Sequence, residues 1–453
     1  MASSFMNRRA PAASRYAGED YSDGGHEPNE GDLIALQAQA AIEEILDESQ
    51  ALDALDADGE ELVQVYGEVL PEVDTVLADA QEAGGITVES VALLAIIGEL
   101  TGTDLSGKVA TESFNGQGRS QQATRYAAEA VTDRLNNWWQ ALKRWLKKIW
   151  KKAKDWWNKT FSGAASLKSS AEAMKKRAQS MSSKVIKNEN VSFSGAATLV
   201  NKDGKILPAD VKSGFKLYEA TVDEIALKYP KDVAVAAKKF VDKIADLDFE
   251  KGAGDASQTA VKAATTEFAG EVAKMTAAMG VAAGKPTGTL GVNAMFDKSL
   301  GQNASVAVSP AYLGNKVLFV IVEGADIRIG MSYAGSKELD GDLEGKALSI
   351  SDISGICDAI ANTCGSIVRA NASVNDTSKV ENDLEQVGDK VERLLAQADN
   401  TGDRAHKVSA AFSRSAKEMA NCLMEPHRTF VANFIQSANA ALRYAGASLS
   451  TAS

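Results

Sequence analysis

At 453 residues, with 45% hydrophobic and 24% charged side chains, the chain is long enough for two or three domains that each bury a core. Only 8 prolines in that length, with abundant alanine, favour helices, because Ala costs least in a helix and Pro about 3 kcal/mol more. Cys357, Cys364 and Cys422 are odd in number and lack paired metal spacing, which excludes a disulfide scaffold; they read as small buried apolar side chains in a reducing compartment.

The net charge of −12 conceals an asymmetry. Residues 1–112 carry 24 acids against 4 bases, a net of −20, and residues 113–453 carry 37 acids against 45 bases, a net of +8. No Lys or Arg falls between Arg15 and Lys108. The first residues lack the apolar core of a secretory signal, and no apolar window of about 20 residues is present; Val91–Leu100 is far too short to span a bilayer. Within the acidic leader, Leu33, Ile34, Leu36, Ile42, Ile45, Leu46, Leu52 and Leu55 recur at helical spacing, and a second set continues from Leu62 to Val76. Two or three amphipathic acidic helices are expected, suited to covering a basic surface or scaffolding an assembly.

Residues 131–161 read VTDRLNNWWQALKRWLKKIWKKAKDWWNKTF and hold all six tryptophans: Trp138, Trp139, Trp145, Trp150, Trp156 and Trp157. On a helix these form a continuous apolar stripe with Leu135, Leu142, Leu146 and Ile149. Arg134, Lys143, Arg144, Lys147, Lys148, Lys151, Lys152, Lys154 and Lys159 decorate the rest against Asp155 alone, a net of +8 over residues 134–159. Gly163 is the expected terminator. Three roles fit: the helix lies on an anionic membrane with Trp at the headgroups; it neutralises phosphates of packaged DNA, without reading base sequence; or the stripe packs on another helix and the lysines are merely solvated. The −20 leader would attract the +8 helix and mask it during assembly.

Further along, Ser166–Lys187 continues as a basic helix, 188–205 is a loop with a short extended piece and a turn at Asp203–Gly204, and helices are expected over 207–247, for example at Val222–Lys228 and Pro230–Leu247, and over 256–282. The period then changes to two. Thr287–Phe296, Ala304–Ser309, Val317–Glu323 and Ala325–Ser332 read as strands, the last two as a hairpin about Gly324. From 351 the pattern is helical again: one helix capped at Ser351–Asp352 and running to about Asn371, one opening at Asp376 or Ser378, and a last stretch, 403–445, split or kinked by Pro426.

Chemistry is nearly silent. His26, His406 and His427 have no ligand partner at i+4, and no GxxxxGK[ST], GxSxG, HExxH or CxxC occurs. No enzyme, cofactor or metal is expected.

Three groups of residues carry a resemblance: the acidic leader with its Ala110-Thr111-Glu112 tripeptide before Ser113, the aromatic–basic helix running into FSGAASLKSSAEAMKKRAQS at 161–180, and EPHRTFVANFIQSANAALRYAGASL at 425–449. Their order resembles the internal head proteins of giant myoviruses of the phiKZ type. The resemblance implies a non-enzymatic virion protein, made in the host cytoplasm, trimmed by the prohead protease after Glu112, and packed inside the head with capsid and prohead proteins and DNA. Ala-x-Glu also occurs at Ala41–Glu43 and Ala80–Glu82, which would serve an earlier cut, but Glu112 is the last acid of the leader and precedes the polar, glycine-containing SFNGQGRSQQ. Contact with nucleic acid or membrane is expected through Trp138, Trp139, Lys143, Arg144, Trp145, Lys147, Lys148, Trp150, Lys151, Lys152, Lys154, Trp156 and Trp157. Two rivals stand beside this: a membrane-active ejection protein, and a scaffold absent from the mature virion. The expected fold is mainly α: a leader at 1–112, a basic amphipathic arm at 113–187, a helical domain at 188–285, a small antiparallel β region at 286–350 and a C-terminal helical bundle at 351–453.

Overall fold

A computed structural model describes residues 39–64, 79–87, 119–187, 189–201, 203–247, 254–278, 282–283, 305–333, 343–370, 382–389 and 402–452, with Ile34, Leu77, Lys379, Val380 and Arg393 besides. In chain order the elements are α1 (Gln39–Gln64), β1 (Ile86–Thr87), β2 (Arg119–Ser120), α2 (Gln121–Ser180), β3 (Asn190–Ser192), α3 (Pro208–Val222), α4 (Tyr229–Ala245), α5 (Gly254–Ala278), β4 (Ala282–Ala283), β5 (Ser305–Val308), β6 (Lys316–Glu323), β7 (Asp326–Tyr333), β8 (Glu344–Lys346), α6 (Ile350–Arg369), α7 (Gly402–Met424) and α8 (His427–Ser450). The fold is mainly α with a small antiparallel sheet, as its sequence patterns require.

The 60 residues of α2 span about 90 Å at 1.5 Å per residue. The helix runs through Gly163 rather than ending there, and stops at Ser180 rather than Lys187. A glycine in mid-helix costs about 1 kcal/mol relative to alanine. Here packing overrides the cost: a Cβ on Gly163 would lie 2.4 Å from Ile45 Cδ1. Gly59 does the same for α1, where a Cβ would lie 2.2 Å from Trp145 Cζ2. So α1 is one helix across the gap between the two apolar sets of the leader, and the two helices approach closely at two glycines.

Beyond α1, the main neighbour of α2 is α6, which lies along its C-terminal half. Leu167, Ala171, Met174 and Ala178 are buried on that half, and Lys175 pairs with Asp358 at 2.6 Å. The N-cap of α6 is Ser349, two residues earlier than expected; its Oγ accepts from Asp352 N. The helices expected over 207–247 run from Pro208 to Ala245, with a π segment at Asp223–Lys228 joining α3 to α4. Pro230 lies in the first turn of α4, just after the π segment.

A second group packs α5 against α4 and α7, with Phe240 and Phe268 rings 6.2 Å apart and Thr265 Oγ1 2.6 Å from Ser415 Oγ. Pro426 does divide the last helical stretch, giving α7 and α8. Small residues (Ala, Ser, Gly) line α8 on every side, and it is buried nearly throughout. It can sit that deep because polar side chains find partners, as Asn433 Nδ2 does on Tyr218 Oη.

The sheet has the order β4-β5-β6-β7, all antiparallel. In the β6–β7 hairpin Val320 faces Ile329 and Glu323 faces Asp326. Gly324, with φ 62°, takes the first central position of the two-residue turn. The expected strand at Thr287–Phe296 lies outside the described residues. The three cysteines are buried.

Candidate functional site on the tryptophan and lysine helix

The helical period sorts the six tryptophans into two rows. Trp138, Trp145 and Trp156 are spaced by 7 and 11 residues, as are Trp139, Trp150 and Trp157 in reverse order, so each row keeps one face of α2. The first row lies beneath α1: Trp138 Nε1 donates to Leu62 O at 3.0 Å and Trp145 Nε1 to Leu55 O at 2.6 Å. The second faces the C-terminal helices. Trp139 lies 5.9 Å from the ring of Phe412, and Trp157 stacks on His427 at 5.2 Å. All six are buried, between 1% and 8% exposed. Burial turns the whole expected aromatic contact set inward.

The bases divide differently. Lys143 pairs with Asp389 and Lys147 with Glu385, each at 2.5 Å. Lys152 and Lys159 pair with Glu48 of α1 at 2.9 and 3.0 Å. Hydrogen bonding to Lys152, against the opposing effect of burial, holds the Glu48 carboxyl below its ordinary pKa; the Glu48 bond raises Lys159. Arg144, Lys147, Lys148, Lys151 and Lys154 are exposed and share the remaining arc of the helix. They form a ridge of about 15 Å, opposite the face that α1 covers. Among the described residues, Arg144, Lys148, Lys151 and Lys154 form no ion pair. Among the described residues, α1 therefore covers tryptophan and flanking lysine and lies away from the basic ridge.

A buried ionic cluster, which the sequence patterns did not indicate, fastens α1 to the start of α8. Arg428 Nε donates to Glu425 Oε1 at 2.6 Å, its Nη2 to Asp53 Oδ1 at 2.5 Å, and its Nη1 to Ser49 O and Oγ at 3.0 and 2.7 Å. Burial pushes the Glu425 carboxyl up, and Arg428 opposes it. The only cue in the sequence was an Arg three residues after a Glu across Pro426.

His427 sits beside this cluster between the rings of Trp157 and Tyr229. Burial first, then the adjacent Arg428 charge, lowers its pKa to about 3. The unfolded chain protonates near 6.5, so this group withdraws stability as pH falls from 6.5 towards 3, by up to about 5 kcal/mol at about 1.4 per unit. Glu418 has the opposite sign. Burial holds it at about 7, so it favours folding fully below pH 4.5 and loses that contribution as pH rises to 7. Urea unfolding of His427→Gln against the parent should show an acid limb flatter by about 1.4 kcal/mol per unit between pH 6 and 4; coincident slopes would refute this account.

Among the described residues no three His, Cys, Asp or Glu gather as a metal site, and no helix is long and apolar enough to cross a membrane. Ala110, Thr111, Glu112 and Ser113 lie outside the described residues. No curated protein and no solved structure matches the chain. The family described as phiKZ-like phage internal head proteins matches residues 37–447, from just before α1 to the last turns of α8. The chain belongs to that family, the phiKZ-like phage internal head proteins, and is a structural protein of the phage head interior.

Proposed function

We propose that this internal head protein is made with an acidic leader cut after Glu112 during head maturation, and that its basic remainder lies against the packaged genome through the ridge from Arg144 to Lys154. The observation that carries the DNA reading is orientation: tryptophans inward, bases outward. A helix at a bilayer interface needs its aromatic rings free to reach the headgroup boundary. A ridge of exposed bases on a rigid helix instead suits phosphate, by counterion release and without sequence preference. Support for the cut is the charge change from −12 to +8 that it produces.

Binding of the full chain to duplex DNA and to anionic vesicles, at matched salt, tests the ligand. DNA binding is expected, with a plot of log K against log salt that flattens by about 3 to 4 on changing Arg144, Lys148, Lys151 and Lys154 to Glu. Vesicle binding without DNA binding overturns the reading. Peptide mass spectrometry of purified mature virions tests the cut. An N-terminus at Ser113 is expected; a terminus near Met1 removes the leader from the account, and absence of the chain makes it a scaffold.

A further inference from the structure

We infer that the groove between the Trp138–Trp145 face of α2 and the charged residues at the α7–α8 junction is a binding site for an acidic amphipathic helix, and that α1 remains in it as a non-covalent subunit after the leader is severed. The inference rests on the processing proposed above and extends it to the fate of the leader.

Surface complementarity, and not chain connection, holds α1 in place. Ile42, Ile45, Leu52 and Leu55 are each 5% exposed or less against the body. Two indole N–H groups donate to its backbone carbonyls at Leu55 and Leu62. Its acids meet bases from three helices: Glu48 meets Lys152 and Lys159 of α2, Glu60 meets Lys417 of α7 at 3.6 Å, and Asp53 meets Arg428 of α8. Lys417 and Arg428 have side chains only 10% and 9% exposed, so the body holds two nearly buried cations whose counter-charges belong in part to the leader. Loss of α1 would take these partners away and uncover the Trp138 and Trp145 rings, apolar surface that the occupied groove keeps from water.

The candidate cuts spare the helix. Glu112 falls between α1 and α2 in the chain. Ala80–Gln81–Glu82 ends a helical turn before Gly84 and Gly85, with Gln81 and Glu82 exposed; it too lies beyond α1. The Ala41–Ile42–Glu43 tripeptide is inside α1 with Ile42 2% exposed, where a protease that needs extended chain cannot engage it.

To test this, a recognition sequence for a site-specific protease is inserted between Gly116 and Gln117 of the full chain, cut, and run on size exclusion without denaturant. The fragment carrying α1 is expected to co-elute with the body, and tryptophan emission, which reports α2 alone, is expected not to shift on cutting. Glu48→Gln, Asp53→Asn and Glu60→Gln together should raise the released fraction at least tenfold. A fragment found apart from the body, whether the body stays in solution or precipitates, overturns the inference. In virions, a Ser113 terminus together with peptides from 39–64 is the expected pattern. A Ser113 terminus without them overturns retention and leaves the processing intact, whereas an uncut chain refutes the processing while the engineered cut still tests the groove.

Discussion

Arg428→Ala is expected to cost about 3–5 kcal/mol in urea unfolding, the range for breaking a buried pair from one side. The guanidinium is almost fully enclosed and donates to Glu425, Asp53 and Ser49. Truncation leaves Glu425 buried with no cation, so that carboxyl must stay protonated or draw in water. The direct attraction is not the main quantity lost, since a buried pair repays much of its own desolvation; the larger part is the penalty on the partner left behind. Two observations follow. Glu425→Gln in the Arg428→Ala background should recover part of the loss, giving a coupling above 1 kcal/mol in the double-mutant cycle. The amides of α1 should also exchange faster than those of α6, because Asp53 and Ser49 are released with the guanidinium. A single-mutant loss under about 1 kcal/mol would show that solvent already reaches this site.

Trp145→Ala should cost a similar amount, about 3–5 kcal/mol, for a different reason. The ring is 4% exposed and fills the space that Gly59 leaves open on α1. Its removal forfeits transfer free energy and leaves a cavity between two long helices, which cannot collapse without shifting both. The hydrogen bond to Leu55 O adds less, because that carbonyl also has the helical ladder of α1 available. Trp145→Phe is therefore expected to lose well under half of what the alanine variant loses, measured by thermal unfolding. Equal losses would assign the main contribution to the hydrogen bond instead.

Patterns local in the chain were legible. Period 3.6 placed the tryptophan helix, period 2 and Gly324 placed the β6–β7 hairpin, and Pro426 marked the division between α7 and α8. Gly163, the expected terminator, was the opposite. Gly59 and Gly163 are helical because each admits a large side chain from the other helix, and such a contact has no local signature. The same limit applies to Arg428, whose partner Asp53 on α1 lies 375 positions earlier. The attraction between acidic leader and basic helix was visible as charge, but its form was not. Among the described residues it runs through Glu48 with Lys152 and Lys159, beside the apolar contact of α1.

The cysteines bear on the life of the particle outside its host. In a protein held inside a phage head, an exposed thiolate would be open to oxidation or to cross-linking with a neighbouring chain. Cys357, Cys364 and Cys422 are all enclosed, and burial pushes the Cys357 thiol up to about 12 and raises the other two as well. Sulfur held as neutral thiol and enclosed in the fold is kept from oxidant and from stapling one copy of this chain to the next.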